Sequence, residues 1–186
     1  MKKTTQKEAL TRLTVTAVFL ALSTGLSLIK VWQMPLGGSV TLLSMVPVCL
    51  ISVFYGTGYA IAPCLLYGTV QFFLSNALGW GLTPTVLIAC ILLDYVVAYG
   101  VLFTAGIFRK KRFGIVAGVA LACVLRFLCH FVSGVVLWKS FKVFNNPYIY
   151  SFVYNGTYIL PETVFTCIGV FLLSKSSAIK RLVKSI

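Results

Sequence analysis

The sequence predicts an all-α integral membrane protein with six transmembrane helices and both termini in the cytoplasm. Of its 186 residues, 59% are hydrophobic and only 10% are charged, whereas a soluble domain carries about 25% charged residues. The hydrophobic residues form stretches, most of them close to the roughly 20 residues that a helix needs to cross a bilayer. This organisation excludes a soluble enzyme and favours a single membrane domain over residues 1–186.

Short interruptions divide the chain into six apolar stretches. They are Lys30, the glycines around residues 56–58, the segment 79–84, the basic run 109–112 and the segment 139–147. The expected spans are residues 10–29, 42–55, 59–78, 85–107, 113–138 and 148–174. The basic start resembles a signal peptide, but no small-residue cleavage site follows it and further spans do. We therefore expect the first span to be a retained helix.

The distribution of lysine and arginine sets the predicted orientation. Basic residues concentrate at the N-terminus, in the run 109–112 and in the C-terminal tail, and an even number of spans separates each of these places from the others. The opposite side carries only Lys30, Lys139 and Lys142. Because cytoplasmic loops carry the excess of lysine and arginine, the three clusters are expected in the cytoplasm. The basic residues behind the net charge of +13 are then expected to set the orientation of the chain in the lipid bilayer, and no nucleic acid is expected as a partner.

Several kinds of site find no support in the sequence. All six cysteines fall in apolar stretches without ligand spacing, so neither a disulfide framework nor a metal site is expected. No Ser/His/Asp set, His-Glu-x-x-His motif or phosphate-binding loop is present. We expect no enzymatic activity, no cofactor and no ATP hydrolysis by this chain. The three tryptophans, at positions 32, 80 and 138, fall at the outer boundary, where they form either an aromatic belt or part of a binding site.

Ionisable residues inside the spans are the first candidates for function. Only three acidic residues exist, and Asp94 and Glu162 lie within spans, where a charge is costly and therefore marks a functional hypothesis. Asp94 lies about ten residues, or roughly 15 Å, from the outer end of span four. Arg126 and His130 are spaced i,i+4 and share one helix face. Arg126 and Glu162 are expected to form a structural ion pair, and a pair of Arg126 with Asp94 is the alternative to a functional role for that acid.

Aromatic and amide side chains extend this polar column through spans five and six. They are Trp138, Tyr150, Tyr154, Asn155 and Tyr158. An acid beside aromatic rings suits a flat aromatic cation, because the acid neutralises its charge and the rings attract it. Asn155 and His130 can hydrogen-bond to a heterocycle. Core packing explains the tyrosines equally well, and a helix–helix hydrogen bond is the alternative for His130.

Four motifs follow one another at the expected spans. They are Met34-Pro-Leu-Gly-Gly-Ser-Val-Thr41, Leu92-Leu-Asp-Tyr95, Arg126 with His130-x-x-Ser-Gly134, and Tyr150-Ser-x-x-Tyr-Asn155-x-Thr-Tyr158. In this order the motifs resemble one known family, the thiamine-specific substrate-binding components of energy-coupling factor transporters. The resemblance covers about residues 10–174. It implies a six-helix membrane fold that captures thiamine from outside under an occluding first loop. It also implies a membrane coupling subunit and two cytoplasmic ATPases as partners, in the cytoplasmic membrane of a bacterium.

The resemblance also assigns residue roles. The positions implied to contact the ligand are Asp94, Tyr95, His130, Trp138, Tyr150 and Asn155. Gly38 and Ser39 of the first loop join them, and Trp32 or Trp80 is expected to supply a ring that some members carry near the position of Gly38. Ala17 and Ala21 form a small-xxx-small pattern that matches the surface with which members meet the coupling subunit.

Two other functions remain as alternatives at the level of sequence. The same architecture could bind another vitamin, such as riboflavin, or a thiamine precursor, but a neutral flavin has less need of Asp94. A carrier acting alone could instead use Asp94 and Glu162 as proton sites.

Overall fold

A computed structural model describes residues 5–111, 114–138 and 146–177 of the chain. Within these ranges six helices of 11 or more residues follow one another, with a two-stranded antiparallel hairpin between the first and the second. Two short 3₁₀ turns, Pro35–Gly37 and Ala77–Gly79, lie in the connections. The helices are α1 (Gln6–Ser27), α2 (Met45–Tyr55), α3 (Thr57–Leu74), α4 (Pro84–Gly106), α5 (Gly114–Val136) and α6 (Pro147–Lys175). The strands are β1 (Lys30–Gln33) and β2 (Ser39–Thr41).

Helix α1 has its polar face inside and its apolar face outside. A capping box of Thr5 and Glu8 starts the helix. Its buried residues are Thr16, Ser23 and Ser27, while leucines such as Leu13 are 63% exposed. The Ser23 hydroxyl accepts a hydrogen bond from the Val48 amide at 3.1 Å. Small polar side chains that bond to neighbouring helices, with apolar side chains pointing outward, are typical of a helix that faces lipid.

Helix α2 forms the centre of the bundle. All nine residues from Met45 to Val53 are buried. Nine residues make more than two helical turns, so every face of this part of α2 is buried. At about 1.5 Å per residue its 11 residues extend about 16 Å, far less than the roughly 30 Å of a hydrocarbon core. Being surrounded by other helices rather than by lipid, α2 does not have to match the membrane thickness.

Helix α4 departs from α-helical geometry at the candidate acid. Residues Ile91–Val97, which include Asp94, form a π-helical turn, and Val101–Gly106 tighten to a 3₁₀ helix. Gly68 of α3 packs against this turn so closely that a Cβ there would lie 2.5 Å from the Tyr95 carbonyl oxygen. Single π turns inside α-helices occur frequently at functional sites, where they redirect side chains.

The structure supports a multi-pass membrane protein and revises one element of the prediction. Five of the described helices, all except α2, are long and apolar enough to cross a membrane. The helices lie at the predicted spans, with ends that differ by at most about four residues. Residues 112 and 113, the basic residues at 2, 3, 139 and 142, and the tail from 178 onwards lie outside the described residues. The β-hairpin was not expected from the sequence.

Candidate functional site

A cavity of about 700 Å³, counting its open mouth, lies beneath the turn that joins β1 to β2, and helices α4, α5 and α6 form its walls. Nine of the residues that the sequence and the resemblance proposed as ligand contacts line this cavity. These are Gly38, Ser39, Trp80, Asp94, Tyr95, His130, Trp138, Tyr150 and Asn155. Residues that are about 120 positions apart in the chain therefore share one pocket.

Asp94 lies in the cavity wall as a paired carboxylate that is 14% exposed. Its Oδ1 atom lies 2.8 Å from His130 Nδ1, and its Oδ2 atom accepts a hydrogen bond from the Ser133 hydroxyl at 2.5 Å. Both partners belong to α5, three residues apart, so that one face of α5 holds the acid. Ser133 is a partner that the sequence analysis did not assign.

His130 retains one free ring nitrogen. An ionised Asp94 calls for a proton on Nδ1, and the neutral tautomer then leaves Nε2 as an acceptor. Among the described residues Nε2 is buried and has no hydrogen-bond partner. Buried polar atoms normally have a partner, so the site contains an acceptor that a ligand amine can satisfy.

Asn155 is engaged by the protein itself, which modifies its expected role. Its Nδ2 atom donates to the Ser151 carbonyl at 2.9 Å and to the His130 carbonyl at 3.1 Å. Its Oδ1 atom accepts a hydrogen bond from the Tyr158 hydroxyl at 2.8 Å. Only the second lone pair of Oδ1 is left for a ligand. Asn155 therefore fixes α6 against α5 and has limited capacity for a heterocycle.

Aromatic rings form the remaining walls. Trp80 and Trp138 pack edge to face with centroids 5.4 Å apart, and Tyr150 stacks on Tyr154 at 5.7 Å. Trp32, by contrast, lies on β1, is 50% exposed and does not line the cavity. Of the two candidates for the additional ring, the structure places Trp80 in the cavity wall. The negative faces of such rings attract an organic cation.

The hairpin turn covers the cavity and is held by one tyrosine. The Gly38 amide donates to the Tyr154 hydroxyl at 3.3 Å, and that hydroxyl donates to the Pro35 carbonyl. Gly37 has φ +97°, a conformation that favours glycine. A Cβ at Gly38 would lie 2.8 Å from the Tyr158 ring. The two glycines thus allow the turn to lie directly on the tyrosines of α6.

The predicted ion pair between Arg126 and Glu162 is not formed. The Arg126 guanidinium donates to the Tyr99 hydroxyl at 3.1 Å and to Met45 Sδ at 3.0 Å, and lies 4.6 Å from the Tyr99 ring centroid. Glu162 accepts hydrogen bonds from the Thr41 amide at 2.7 Å and the Thr41 hydroxyl at 2.6 Å. Thr41, the last residue of β2, therefore donates to both carboxylate oxygens of Glu162. Helix periodicity does not predict this contact, because Thr41 lies outside the helices. Glu162 therefore fastens the hairpin to α6.

A second, larger cavity adjoins the first. Arg126, Tyr95, Tyr99 and Trp80 belong to both, and Glu162 lies in the wall of the second cavity alone. Tyr99 was missed as a site residue, although it lies four positions from Tyr95 and one helical turn is a sufficient signal. Gly37, Cys90 and Gly134 also line the first cavity without having been assigned a role.

Formal charges in the described interior favour a cationic ligand. With histidine counted as neutral, the formal charges of Asp94, Glu162 and Arg126, which lie between the two ends of the bundle, sum to one negative charge. Buried charge is unfavourable unless it is compensated. A ligand carrying one positive charge would bring the sum to zero, and Asp94 is the acid that reaches the first cavity.

Ala17 and Ala21 lie far from this cavity. Both are exposed on α1, beside outward-facing Val18 and Leu22, which are 57% and 49% exposed. Small side chains on an exposed apolar face allow another helix to approach closely. The pattern is therefore accessible for a partner.

Comparisons with known proteins agree with the architecture. The family described as thiamine transporter protein (Thia_YuaJ) matches residues 13–182. Thiamine transporter ThiT of Bacillus subtilis (strain 168) is 33% identical, over 93% of this chain and 91% of that protein. A solved structure of ThiT from Listeria monocytogenes superposes with a TM-score of 0.76 at 24% identity, covering 95% of this chain and 98% of that chain. This last likeness concerns the fold.

Proposed function

Because this chain belongs to the family of thiamine transporter proteins (Thia_YuaJ), we propose that it captures thiamine at the outer face of a membrane. Thiamine joins a positively charged thiazolium to an aminopyrimidine, so it is a flat aromatic cation with hydrogen-bonding groups. The observation that carries this assignment is the position of the Asp94 carboxyl group in a cavity walled by aromatic rings.

Each part of thiamine has a matching group in the cavity. The thiazolium charge is compensated by Asp94, the acid that lines the cavity. The aminopyrimidine amine can donate to His130 Nε2, which is buried without a partner among the described residues. Trp80, Trp138 and the tyrosines of α6 supply flat surfaces for both rings. Riboflavin, being neutral, would leave the Asp94 charge uncompensated.

The proposed orientation puts the β-hairpin outside the cell. Six crossings, with α2 as a short central one, bring the basic run 109–112 and both termini to the cytoplasm, in accord with the excess of basic residues there. The cavity then opens toward the outside, beneath a turn that Tyr154 holds. Release of the turn admits the ligand, and its return excludes water. We assign the protein to the cytoplasmic membrane of a bacterium.

The chain is proposed to act as the substrate-binding subunit of an energy-coupling factor importer. It has no recognisable route to ATP hydrolysis, so uptake would require a membrane coupling subunit and two ATPases. The exposed Ala17 and Ala21 on α1 are the proposed contact with the coupling subunit. They are separate from the cavity, so binding and transport can be disrupted independently.

Tryptophan fluorescence provides the direct test. Saturating thiamine is expected to quench the emission of the purified protein and raise its melting temperature, because Trp80 and Trp138 line the cavity. Trp138→Phe is expected to lose part of the quenching, because Trp80 also lines the cavity, while Trp32→Phe is the matched control, since Trp32 lies outside the cavity. Riboflavin is not expected to compete. Unchanged fluorescence and unchanged melting temperature would refute the assignment of thiamine.

A further inference from the structure

A third cavity, a polar recess, lies at the end of the bundle opposite the hairpin. It measures about 910 Å³, counting its open mouth, and is formed where α2 turns into α3 and where α4 ends. Its wall includes Tyr55, Tyr59, Arg109, Lys110 and Lys111. We refer to it as the basic recess. The basic recess and the proposed thiamine site share no wall residue, so the proposed function leaves the recess without a role.

The positive charge of the basic recess is not compensated within the described part of the chain. Arg109 donates to the Phe54 carbonyl at 3.0 Å and faces no carboxylate. Arg12 lies 5.9 Å from the centroid of the Tyr55 ring. All three acidic residues of the chain are engaged elsewhere. Glu8 caps α1, and Asp94 and Glu162 bond to His130 and Thr41.

Unsatisfied hydrogen-bonding atoms mark the same place. Among the described residues, four buried side-chain polar atoms have no hydrogen-bond partner. Two of them, on Arg126 and His130, line the thiamine cavity. The other two are the hydroxyl of Tyr55, a residue that lines the basic recess, and Nε of Arg12, whose guanidinium carbon lies 5.9 Å from the Tyr55 ring centroid. Both of these can donate a hydrogen bond, so they require an acceptor, and the surrounding charge favours an anionic one.

We propose that the basic recess binds the phosphate group of an anionic phospholipid. Phosphate offers several acceptor oxygens and a negative charge to Tyr55, Lys110 and Lys111 in the wall of the recess, and Arg12 beside Tyr55 adds to the positive charge. Ile107 in the wall of the recess is 54% exposed, so the charged wall continues into an apolar surface that suits an acyl chain. This continuity favours a lipid over free phosphate. The inference rests on the proposed orientation, which brings the basic recess to the cytoplasmic leaflet, where anionic lipids attract basic segments.

Lys111→Gln tests the proposal, and Lys175→Gln is its matched control. Each lysine is exposed, and each contacts a phenylalanine ring, Lys111 at 5.3 Å from Phe108 and Lys175 at 4.0 Å from Phe171. Lys175 ends α6 and does not line the basic recess. The protein is reconstituted in nanodiscs of equal phosphatidylglycerol and phosphatidylcholine, and the lipids retained after release are counted by native mass spectrometry.

Wild-type protein is expected to retain phosphatidylglycerol in preference to phosphatidylcholine. Lys111→Gln should lower this preference about fivefold, the factor that corresponds to about 1 kcal/mol for one basic residue at an anionic surface. Lys175→Gln should leave the preference close to the wild-type value. Tyr55→Phe, which removes the unpaired hydroxyl without changing charge, should lower it as well.

Three outcomes would overturn the proposal. Equal losses in Lys111→Gln and Lys175→Gln would mean diffuse surface charge instead of a site. Equal protection of the melting temperature by inorganic phosphate and by phosphatidylglycerol would identify free phosphate as the ligand. Unchanged lipid retention with lost uptake in Lys111→Gln would assign the basic recess to a protein partner. Thiamine binding is measured on the same preparations, so a failure of the proposed function is recognised separately.

Discussion

Replacement of Asp94 by asparagine removes the charge of the proposed site with little change in shape. The asparagine oxygen can still accept a hydrogen bond from His130 Nδ1, and the Ser133 hydroxyl can rotate to accept one from the new amide. Because both hydrogen bonds, now 2.8 Å and 2.5 Å long, have a neutral counterpart, we expect Asp94→Asn to fold with nearly unchanged stability. The loss should appear in ligand binding.

The magnitude follows from the buried charges. With Asp94 ionised, thiamine brings the charge of the described interior from one negative to zero, but in Asp94→Asn it brings the charge from zero to one positive. Two unit charges about 4 Å apart interact by about 4 kcal/mol at an effective dielectric constant of about 20. Breaking a buried charge pair costs about 3–5 kcal/mol. At about 1.4 kcal/mol per tenfold change, thiamine affinity should fall by roughly 100- to 3,000-fold.

Titration calorimetry with two ligands isolates the charge. Thiamine is compared with a neutral isostere in which an uncharged thiophene ring replaces the thiazolium. Wild-type protein should prefer thiamine by about two or more orders of magnitude, and Asp94→Asn should lose that preference, giving a coupling energy of about 3 kcal/mol in the resulting cycle. The aminopyrimidine contacts are common to both ligands, so they cancel.

Glu162→Gln serves as the control for net charge. It removes the other buried carboxylate, which bonds to Thr41 and does not line the first cavity. The preference for thiamine over the isostere should therefore persist in Glu162→Gln. A stable Asp94→Asn protein that binds thiamine at wild-type strength would refute the reasoning. So would an equal loss of preference in the two variants, which would indicate a general charge effect.

Three other changes separate closure, partner contact and local packing. Tyr154→Phe removes the hydroxyl that bonds to both Gly38 and Pro35, so thiamine should dissociate up to about 30-fold faster, since each of the two hydrogen bonds contributes about 1 kcal/mol; stopped-flow fluorescence measures this, and an unchanged rate would contradict the proposal that Tyr154 holds the turn closed. Ala17→Leu should abolish uptake into cells but leave thiamine binding by purified protein intact, and lost binding in a folded variant would refute the partner surface. Gly134→Ala should destabilise the protein in thermal unfolding, because a Cβ there would overlap the Ser151 hydroxyl; an unchanged melting temperature would contradict the close packing of α5 on α6.

The fold prediction rested mostly on the lengths of the apolar stretches and on the positions of the basic residues. Stretches of apolar residues predict helices reliably because a lipid-exposed backbone must bond within its own helix. The same reasoning fails for the hairpin of residues 30–41, since its four- and three-residue strands lie at the end of the bundle and are set by turn geometry. It also fails for the length of α2, because burial by neighbouring helices removes the requirement to span the bilayer.

The candidate site shows a similar division. The positions of Asp94 and His130 in the cavity wall were predictable, because a charge within a span is unusual enough to stand out. The partner of each group was not, since the π turn at Ile91–Val97 shifts the helix face and brings Asp94 to His130 and Ser133. Arg126 and Glu162 show the limit most clearly. Opposite charges on adjacent spans suggest an ion pair. In the structure Arg126 instead bonds to Tyr99, and Glu162 bonds to Thr41.

The central claim is that the cavity around Asp94 takes thiamine, and the ligand carried by the purified protein tests it most directly. The protein is solubilised in mild detergent from cells grown with both thiamine and riboflavin, washed, denatured, and its released small molecules are quantified by mass spectrometry. Thiamine close to one molecule per chain in wild-type protein, and its loss in Asp94→Asn, is the predicted result. Riboflavin or another neutral vitamin in its place, or equal thiamine in both proteins, would contradict the claim.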